Sequence, residues 1–384
     1  MAVPLPSLQT APPPKRRKPR FPRPFLQCVI LVALGLAVVW VVGNVVANAA
    51  VLGNRFGFSF LDRSAGFAIG ESLIAYGPEN SYSRAILVGF LNTLEIALIA
   101  ALGSLVLGFL VAFLRTSKIG PLSAALKFYV EIIRNTPLLL QLFIWSTAIK
   151  ALPPVRQALE PLSGVFISNR GLNFPAPVSP VAGALIAGVI VLICLALFEK
   201  LAKEPRRIFG IKTSLAALFF ACVGTLWLLI LPMETPELKG LNMRGGGGVS
   251  SEFLCMAAGL IFYHTALVAE IVRAGFNSVP KGQAEAGEAL GLSRMTIFFN
   301  IQMPQALRVI ILPTTALFQG MAKNTSLAVA VGFPELYTVL NTITGQTGQP
   351  IETAMILVLG YFAISFGLAK VGNGLNSLVA IKEH

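Results

Sequence analysis

Six ionisable side chains sit inside otherwise apolar stretches of the sequence: Glu95, Glu131, Arg134, Glu270, Arg273 and Lys323. A charge among apolar neighbours is costly, so such residues pair with one another or face water. Their spacing sorts them. Glu131, Arg134 and Gln141 share a helical stripe at i, i+3 and i+10, interrupted by Pro137. Glu131 and Arg134 then stand one turn apart and read as an internal brace. Tyr263 and Glu270 share a second face with Arg273 one turn beyond, which gives a second pair. Gln319, Lys323 and Ser326 align at i, i+4 and i+7 with Asn324 and Thr325 beside them, and Asn92 lies one turn from Glu95. This is the chemistry of charge pairing and of a polar route, not of bond making. There is no HExxH, no Ser-His-Asp arrangement, and only two histidines, His264 and His384. His264 reads as a hydrogen-bonded interior residue. Cys28, Cys194, Cys222 and Cys255 lack C-x-x-C spacing and read as small apolar side chains. No catalytic residue and no metal site is expected.

Greasy elements must carry these groups. The 384 residues are 55% hydrophobic and 12% charged, against about 25% charged in soluble domains. Mean hydropathy is +0.75. A hydrocarbon layer about 30 Å thick takes about 20 apolar residues as a helix. Eight runs qualify: 26–46, 86–114, 126–152, 180–198, 215–231, 253–272, 309–331 and 353–371. Lipid requires backbone groups to be satisfied internally, and runs this continuous favour helices over barrel strands. The fold class expected is an all-α polytopic membrane protein of about eight transmembrane helices.

Basic residues orient it. With the N-terminus in the cytoplasm, twenty of the thirty Lys and Arg fall inside, eight outside and two, Arg134 and Lys323, within spans. That bias places both termini inside. The net charge of +13 therefore reflects topology, and no nucleic-acid partner is expected. "PPPKRRKPRFPRP" holds the entrance of the first helix inside, and residues 1–24 form a basic, Pro-rich tail without a packed core. "ANA" at 47–49 has the form of a signal cleavage site, but the apolar run before it is long for a signal peptide, which favours an uncleaved span.

One polar stretch breaks the pattern, "KGQAEAGEALGLSRMTIFFNIQMPQ" at 281–305, in the inner connection between the sixth and seventh spans. Wound as a helix, Ala286, Ala289 and Leu290 make a small apolar stripe, with Glu285 and Glu288 beside it. Gly291 ends this helix, Ser293 caps a second short one, and Pro304 breaks the path before the chain re-enters the membrane. The outcome is two short helices joined by a sharp bend.

This stretch resembles the EAA loop of ABC-importer permeases: E-A-A, three residues, G, nine residues, I-x-L-P. Glu285, Ala286, Gly291, Ile301 and Pro304 match in register. Gly287 replaces the second Ala and Met303 replaces Leu, and a glycine costs a short helix on the order of 1 kcal/mol against alanine. The resemblance implies that residues 282–291, Gly282, Glu285, Ala286, Gly287, Glu288, Ala289, Leu290 and Gly291, with Ile301 and Pro304, dock into an ATP-hydrolysing subunit. "NTLEIALIAALGSLVLGFLVAFLRTS", "EIIRNTPLLLQ", "AEIVRAGFNSVPKGQAEAGEALG" and "KNTSLAVAVGFPEL" resemble the core helices of amino-acid-type members. "NRGLNFP" and "NMRGGGGVSSEF" are similar to segments of general L-amino acid importer subunits. On its own the GGGG run reads as a flexible loop, and no Gly-Lys-Ser/Thr follows it to hold phosphate.

The implied organisation is a tail (1–24), an extra first helix and outer loop (25–84), a first core part (85–152), an insertion with two extra helices (153–250) and a second core part (251–384) holding the coupling loop, about 274–305. Five core helices and three additional ones make eight. The implied function is a permease subunit of an importer for polar or many L-amino acids in a bacterial inner membrane. It binds no cofactor itself, since ATP is used by the separate ATPase subunit. A periplasmic binding protein and a second, different permease complete the assembly. A zwitterionic substrate needs both signs of charge, so Asn92, Glu95, Gln319, Lys323, Asn324, Thr325 and Ser326 are expected to line the route. The alternative is an ion-coupled carrier using Glu270 or Glu95 for protons, which leaves the EAA-like loop without a purpose.

Overall fold

The apolar runs become helices whose ends are set by glycine, proline and capping residues. The computed structural model describes residues 23–51, 57–116, 119–177, 207–208, 211–212, 233–240 and 242–379. The chain divides into two units, Met1–Gly57 and Phe58–His384. The first holds α1 (Arg23–Val51). The second holds α2 (Tyr82–Leu114), α3 (Gly120–Asn135), α4 (Leu138–Lys150) and α5 (Ser251–Asn277). It continues with α6 (Lys281–Ala289), α7 (Arg294–Ile297), α8 (Met303–Asn324), α9 (Leu336–Thr347) and α10 (Pro350–Val379).

α5 is the axis of the second unit, packing against α2, α3, α4 and α8. Between membrane helices, small residues permit the close approach that dispersion forces need. Gly108 of α2 shows this, since an added Cβ would lie 2.5 Å from Val268 Cγ1 of α5. Buried Ile96, Leu142, Met256 and Leu260 form one layer of the core, and Val130, Val268, Val272 and Ile310 a second.

Three expectations meet the structure here: the first is covered only in part, and the other two need correction. Among the described residues, four helical stretches, Tyr82–Leu114, Ser251–Asn277, Arg294–Ala330 and Pro350–Ser377, are long and apolar enough to cross a membrane. A fifth crossing is counted only if α3 and α4 are taken together. Of the remaining expected spans, 26–46 falls within α1, whose apolar stretch among the described residues is Phe25–Val41, and 180–198 and 215–231 lie outside the described residues. Secondly, the run 126–152 is not one straight helix, because α3 and α4 meet at 112°. Pro137 lacks an amide donor and drives Thr136 into extended backbone (φ −105, ψ 129). The buried Gln141 side chain then donates to Ile133 O and Thr136 O, both at 3.2 Å, covering carbonyls left free at the break.

Thirdly, the protein is not all-α. β1 (Leu159–Leu162), β2 (Val165–Ser168), β3 (Gly171–Phe174) and β10 (Gly247–Ser250) form an antiparallel sheet in that order. The GGGG run is part of it: Gly245 and Gly246 turn with positive φ, and Gly247 and Gly248 pair with Phe174 and Asn173. β4 (Ala176–Pro177) pairs with β7 (Met233–Glu234), so the excursion between them begins and ends at one point. β5 (Arg207–Ile208) pairs with β6 (Ile211–Lys212), and β8 (Glu237–Lys239) with β9 (Asn242–Arg244). β10 runs straight into α5, whose first turn is capped by Ser250 Oγ accepting from Phe253 N at 3.0 Å.

Candidate functional site

The polar stretch folds as a knuckle at the end of α5 remote from the sheet. α6 closes when Gly291 adopts φ +70, with Gly291 N donating to Glu288 O (2.9 Å) and Leu292 N to Gly287 O (3.1 Å). Ser293 Oγ accepts from Thr296 N at 3.2 Å and starts α7. A π-helical turn, Phe298–Gln302, then leads into α8, where Pro304 occupies the first turn and needs no donor. Gly287 is the contact point. It is buried, and an added Cβ would lie 2.8 Å from Ile297 Cγ1 and 3.3 Å from Ile301 Cδ1. The glycine that looks unfavourable for α6 is thus what lets α6 lie against α7 and the head of α8. Gln305 Nε2 adds a link to Ile301 O (3.0 Å).

The opposite face is bare. Gly282, Glu285, Ala286, Glu288 and Ala289 are exposed, Leu290 is 79% exposed and Met295 68%. Large apolar side chains left exposed beside carboxylates give this face the character of a docking surface.

Next to the knuckle, α5 carries a charge cluster. Glu270 Oε2 accepts from Arg115 Nη1 at 2.8 Å and lies 3.9 Å from Arg134 Nη1, while Glu270 Oε1 accepts from Arg273. The expected Glu270–Arg273 pair is present, but Arg134 of α3 turns to Glu270 and not to Glu131. Glu131 is exposed and makes no ion pair among the described residues. Arg115 was hidden in the sequence as one more basic residue at a helix end.

At the sheet end the polar residues are tied inward. Asn92 is 1% exposed, and its Nδ2 donates to Glu71 O and Pro334 O, both 2.9 Å, joining α2 to two loops. Glu71 in turn accepts from Ser250 N at the head of α5. Burial pushes the Glu71 carboxyl above its ordinary value, against the opposing Ser250 hydrogen bond. Glu335, in the connection between α8 and α9, is fully buried. Its carboxylate accepts from Thr338 N (2.8 Å), Tyr361 Oη (2.8 Å) and Thr93 Oγ1 (3.4 Å), linking α2, α9 and α10. Burial raises its pKa, and these hydrogen bonds only partly oppose it. The sequence reading did not single out Glu335. Its signal was local: a glutamate three residues before Thr338, at a helix start.

The expected route residues divide. Gln319 Nε2 donates to Ser365 O (2.9 Å) and Thr325 Oγ1 to Ala322 O (2.8 Å), so both serve packing of α8 and its 3₁₀ continuation, Thr325–Ala330. Ser326 Oγ donates to Lys323 O (2.9 Å), closing the switch from α to 3₁₀ winding. Lys323 is exposed, Glu95 and Asn324 half-buried, and Lys323 and Glu95 form no ion pair with each other. A cavity of about 430 Å³, bordered by Glu71, Ser250, Glu252, Pro334 and Thr338, opens at this end. His264 is buried, with Nδ1 2.8 Å from Leu260 O.

Residues 104–380 match the family described as binding-protein-dependent transport system inner membrane component. The chain is 35% identical over 375 residues to the general L-amino acid transport system permease protein AapQ of Rhizobium johnstonii, covering 95% of this chain and 94% of that protein. It is 36% identical over 370 residues to the putative amino-acid ABC transporter permease protein YhdX of Escherichia coli, covering 93% and 94%. It is 30% identical over 404 residues to the glutamate/glutamine/aspartate/asparagine transport system permease protein BztB of Rhodobacter capsulatus, covering 95% of each. With a motif-bearing knuckle, a helical core and this match over most of its length, the chain belongs to the family of inner membrane components of binding-protein-dependent transport systems.

Proposed function

We propose that the chain is the permease subunit of an ATP-driven importer that carries L-amino acids into the cytoplasm, the knuckle being the handle of a separate ATPase subunit. The observation that carries this is the bare face of α6 and α7, with Leu290 and Met295 exposed, on a knuckle keyed through Gly287 into α7 and the π turn that leads into α8. A push on such a face reaches α8 through the π turn that continues into it. The names of the three relatives, all amino-acid permeases, support the substrate class. In this reading the knuckle and both termini lie inside, the sheet lies outside, and a binding protein delivers substrate there. One handle per chain calls for a second permease, a different one by resemblance, to engage two ATPase subunits. ATP is bound and used by those partners and not by this chain.

Glu95 and Lys323 supply the two signs a zwitterion needs along the route, with Asn324 beside Lys323. Asn92, Gln319, Thr325 and Ser326 shape its walls through the hydrogen bonds given above. Coupling requires that the handle sit differently in outward and inward states, since a partner can shift only an equilibrium it distinguishes. The test is amino-acid-stimulated ATP turnover in vesicles containing the permease pair, the ATPase and the binding protein. Leu290→Asp is expected to abolish the stimulation, and uptake that persists without ATP would overturn the reading. For the route, unchanged uptake and substrate profile in both Lys323→Ala and Glu95→Ala would sink the assignment.

A further inference from the structure

Positive charge at the knuckle end of the core exceeds what its partners cancel. Arg115, Arg134 and Arg273, from α2, α3 and α5, surround a single carboxylate, Glu270. Arg115 Nε is buried and finds no acceptor among the described residues. The side chains of Arg134 and Arg273 are 47% and 41% exposed, which leaves their remaining donors reachable. Beside this cluster lies a cavity of about 460 Å³ with no charged residue in its wall, bordered by Leu107, Val111, Tyr129, Trp145, Phe262 and Thr265. The two features share helix faces. Leu107, Val111 and Arg115 follow one another at i, i+4 and i+8, and Thr265 precedes Arg273 by two turns. At 1.5 Å per residue the cavity wall ends about 6 Å from Arg115 along α2 and about 12 Å from Arg273 along α5.

We propose that this end of the core is a binding site for an anionic phospholipid of the inner leaflet, its phosphate held by Arg115, Arg134 and Arg273 and an acyl chain filling the cavity. Guanidinium groups present paired donors that match phosphate oxygens. Basic pockets between helices on the cytoplasmic side meet a leaflet rich in anionic headgroups. Apart from the Tyr129 and Thr265 hydroxyls the wall is aliphatic and aromatic, so a lipid tail is the fitting occupant. A free phosphate would satisfy the arginines and leave the cavity empty. An apolar helix from a partner would fill the cavity and leave the arginines uncompensated.

The site rests on the inward placement of the knuckle, but its test needs neither ATP nor substrate, so it fails separately from the transport reading. The complex, purified in mild detergent and offered phosphatidylglycerol or phosphatidylcholine with the same acyl chains, is read by native mass spectrometry. Phosphatidylglycerol is expected to be retained about tenfold more. Arg134→Gln with Arg273→Gln brings its retention down to the phosphatidylcholine level, and Leu107→Trp, which fills the cavity, lowers retention of both lipids. Glu270→Gln, which removes the competing carboxylate, raises phosphatidylglycerol retention and decides the matter if the double variant does not fold. Equal retention of the two lipids, a fall in Glu270→Gln, or displacement by millimolar inorganic phosphate would overturn the proposal.

Discussion

The knuckle and the Glu335 knot are built on opposite principles. The knuckle folds on itself at Gly287, against Ile297 and Ile301, leans on the core through Phe298 on Phe276 and Phe113, and shows Leu290 and Met295 to the surroundings. The knot buries a carboxylate completely and satisfies it from three helices. A buried polar network with all partners in place rigidifies, whereas an uncovered apolar face has energy to gain only when something docks. The molecule is therefore stiff where α2, α9 and α10 meet and sticky where α6 and α7 protrude.

The sharpest way to break this contrast is Glu335→Ala. It strips α9 of its cap and takes from Tyr361 its 2.8 Å acceptor, so a loss of about 2–4 kcal/mol is expected. A thermal melt of the purified protein checks it, and an unchanged Tm would mean the knot contributes nothing. Gly287→Val comes next. Its branched side chain collides with Ile297, and overpacking costs about 1–3 kcal/mol. Uptake should fall about tenfold or more while the sheet end stays intact, as limited proteolysis of the loops would report.

Leu290→Ser tests the sticky side. Because Leu290 is 79% exposed, the isolated chain should melt within about 0.5 kcal/mol of wild type. Affinity for the ATPase subunit should nevertheless drop about tenfold, which a pull-down titration would measure. The mildest change is Glu335→Gln. A folded pKa above the ordinary 4.5 means that the folded chain holds the extra proton. This contribution is complete below the unfolded value and is lost as pH rises through the folded value. Wild-type Tm should therefore decline as pH rises above about 4.5, and Glu335→Gln should flatten that decline.

What the sequence announces follows from local rules. Gly291, Ser293 and Pro304 each act within one turn of the chain, so the two-helix knuckle can be read from spacing alone. Pro137 is visible as an interruption, yet its 112° bend is not, because the apolar pattern runs on through both arms. The sheet escapes for a related reason. Its strands are only four residues long, and Gly247 and Gly248 carry no side chains to alternate. Partners distant in sequence are the least visible. Arg115 meets Glu270 across 155 residues and Thr93 meets Glu335 across 242, and no local pattern encodes either. Gly287 looks like a flaw in a helix until Ile297 is seen against it.

Ala176 faces Glu234 and Pro177 faces Met233 as antiparallel neighbours. Two feet planted side by side bring the two ends of a 55-residue excursion within the reach of a two-residue hairpin turn. The seam thus fixes where residues 178–232 leave and rejoin the chain that runs on through β10 into α5.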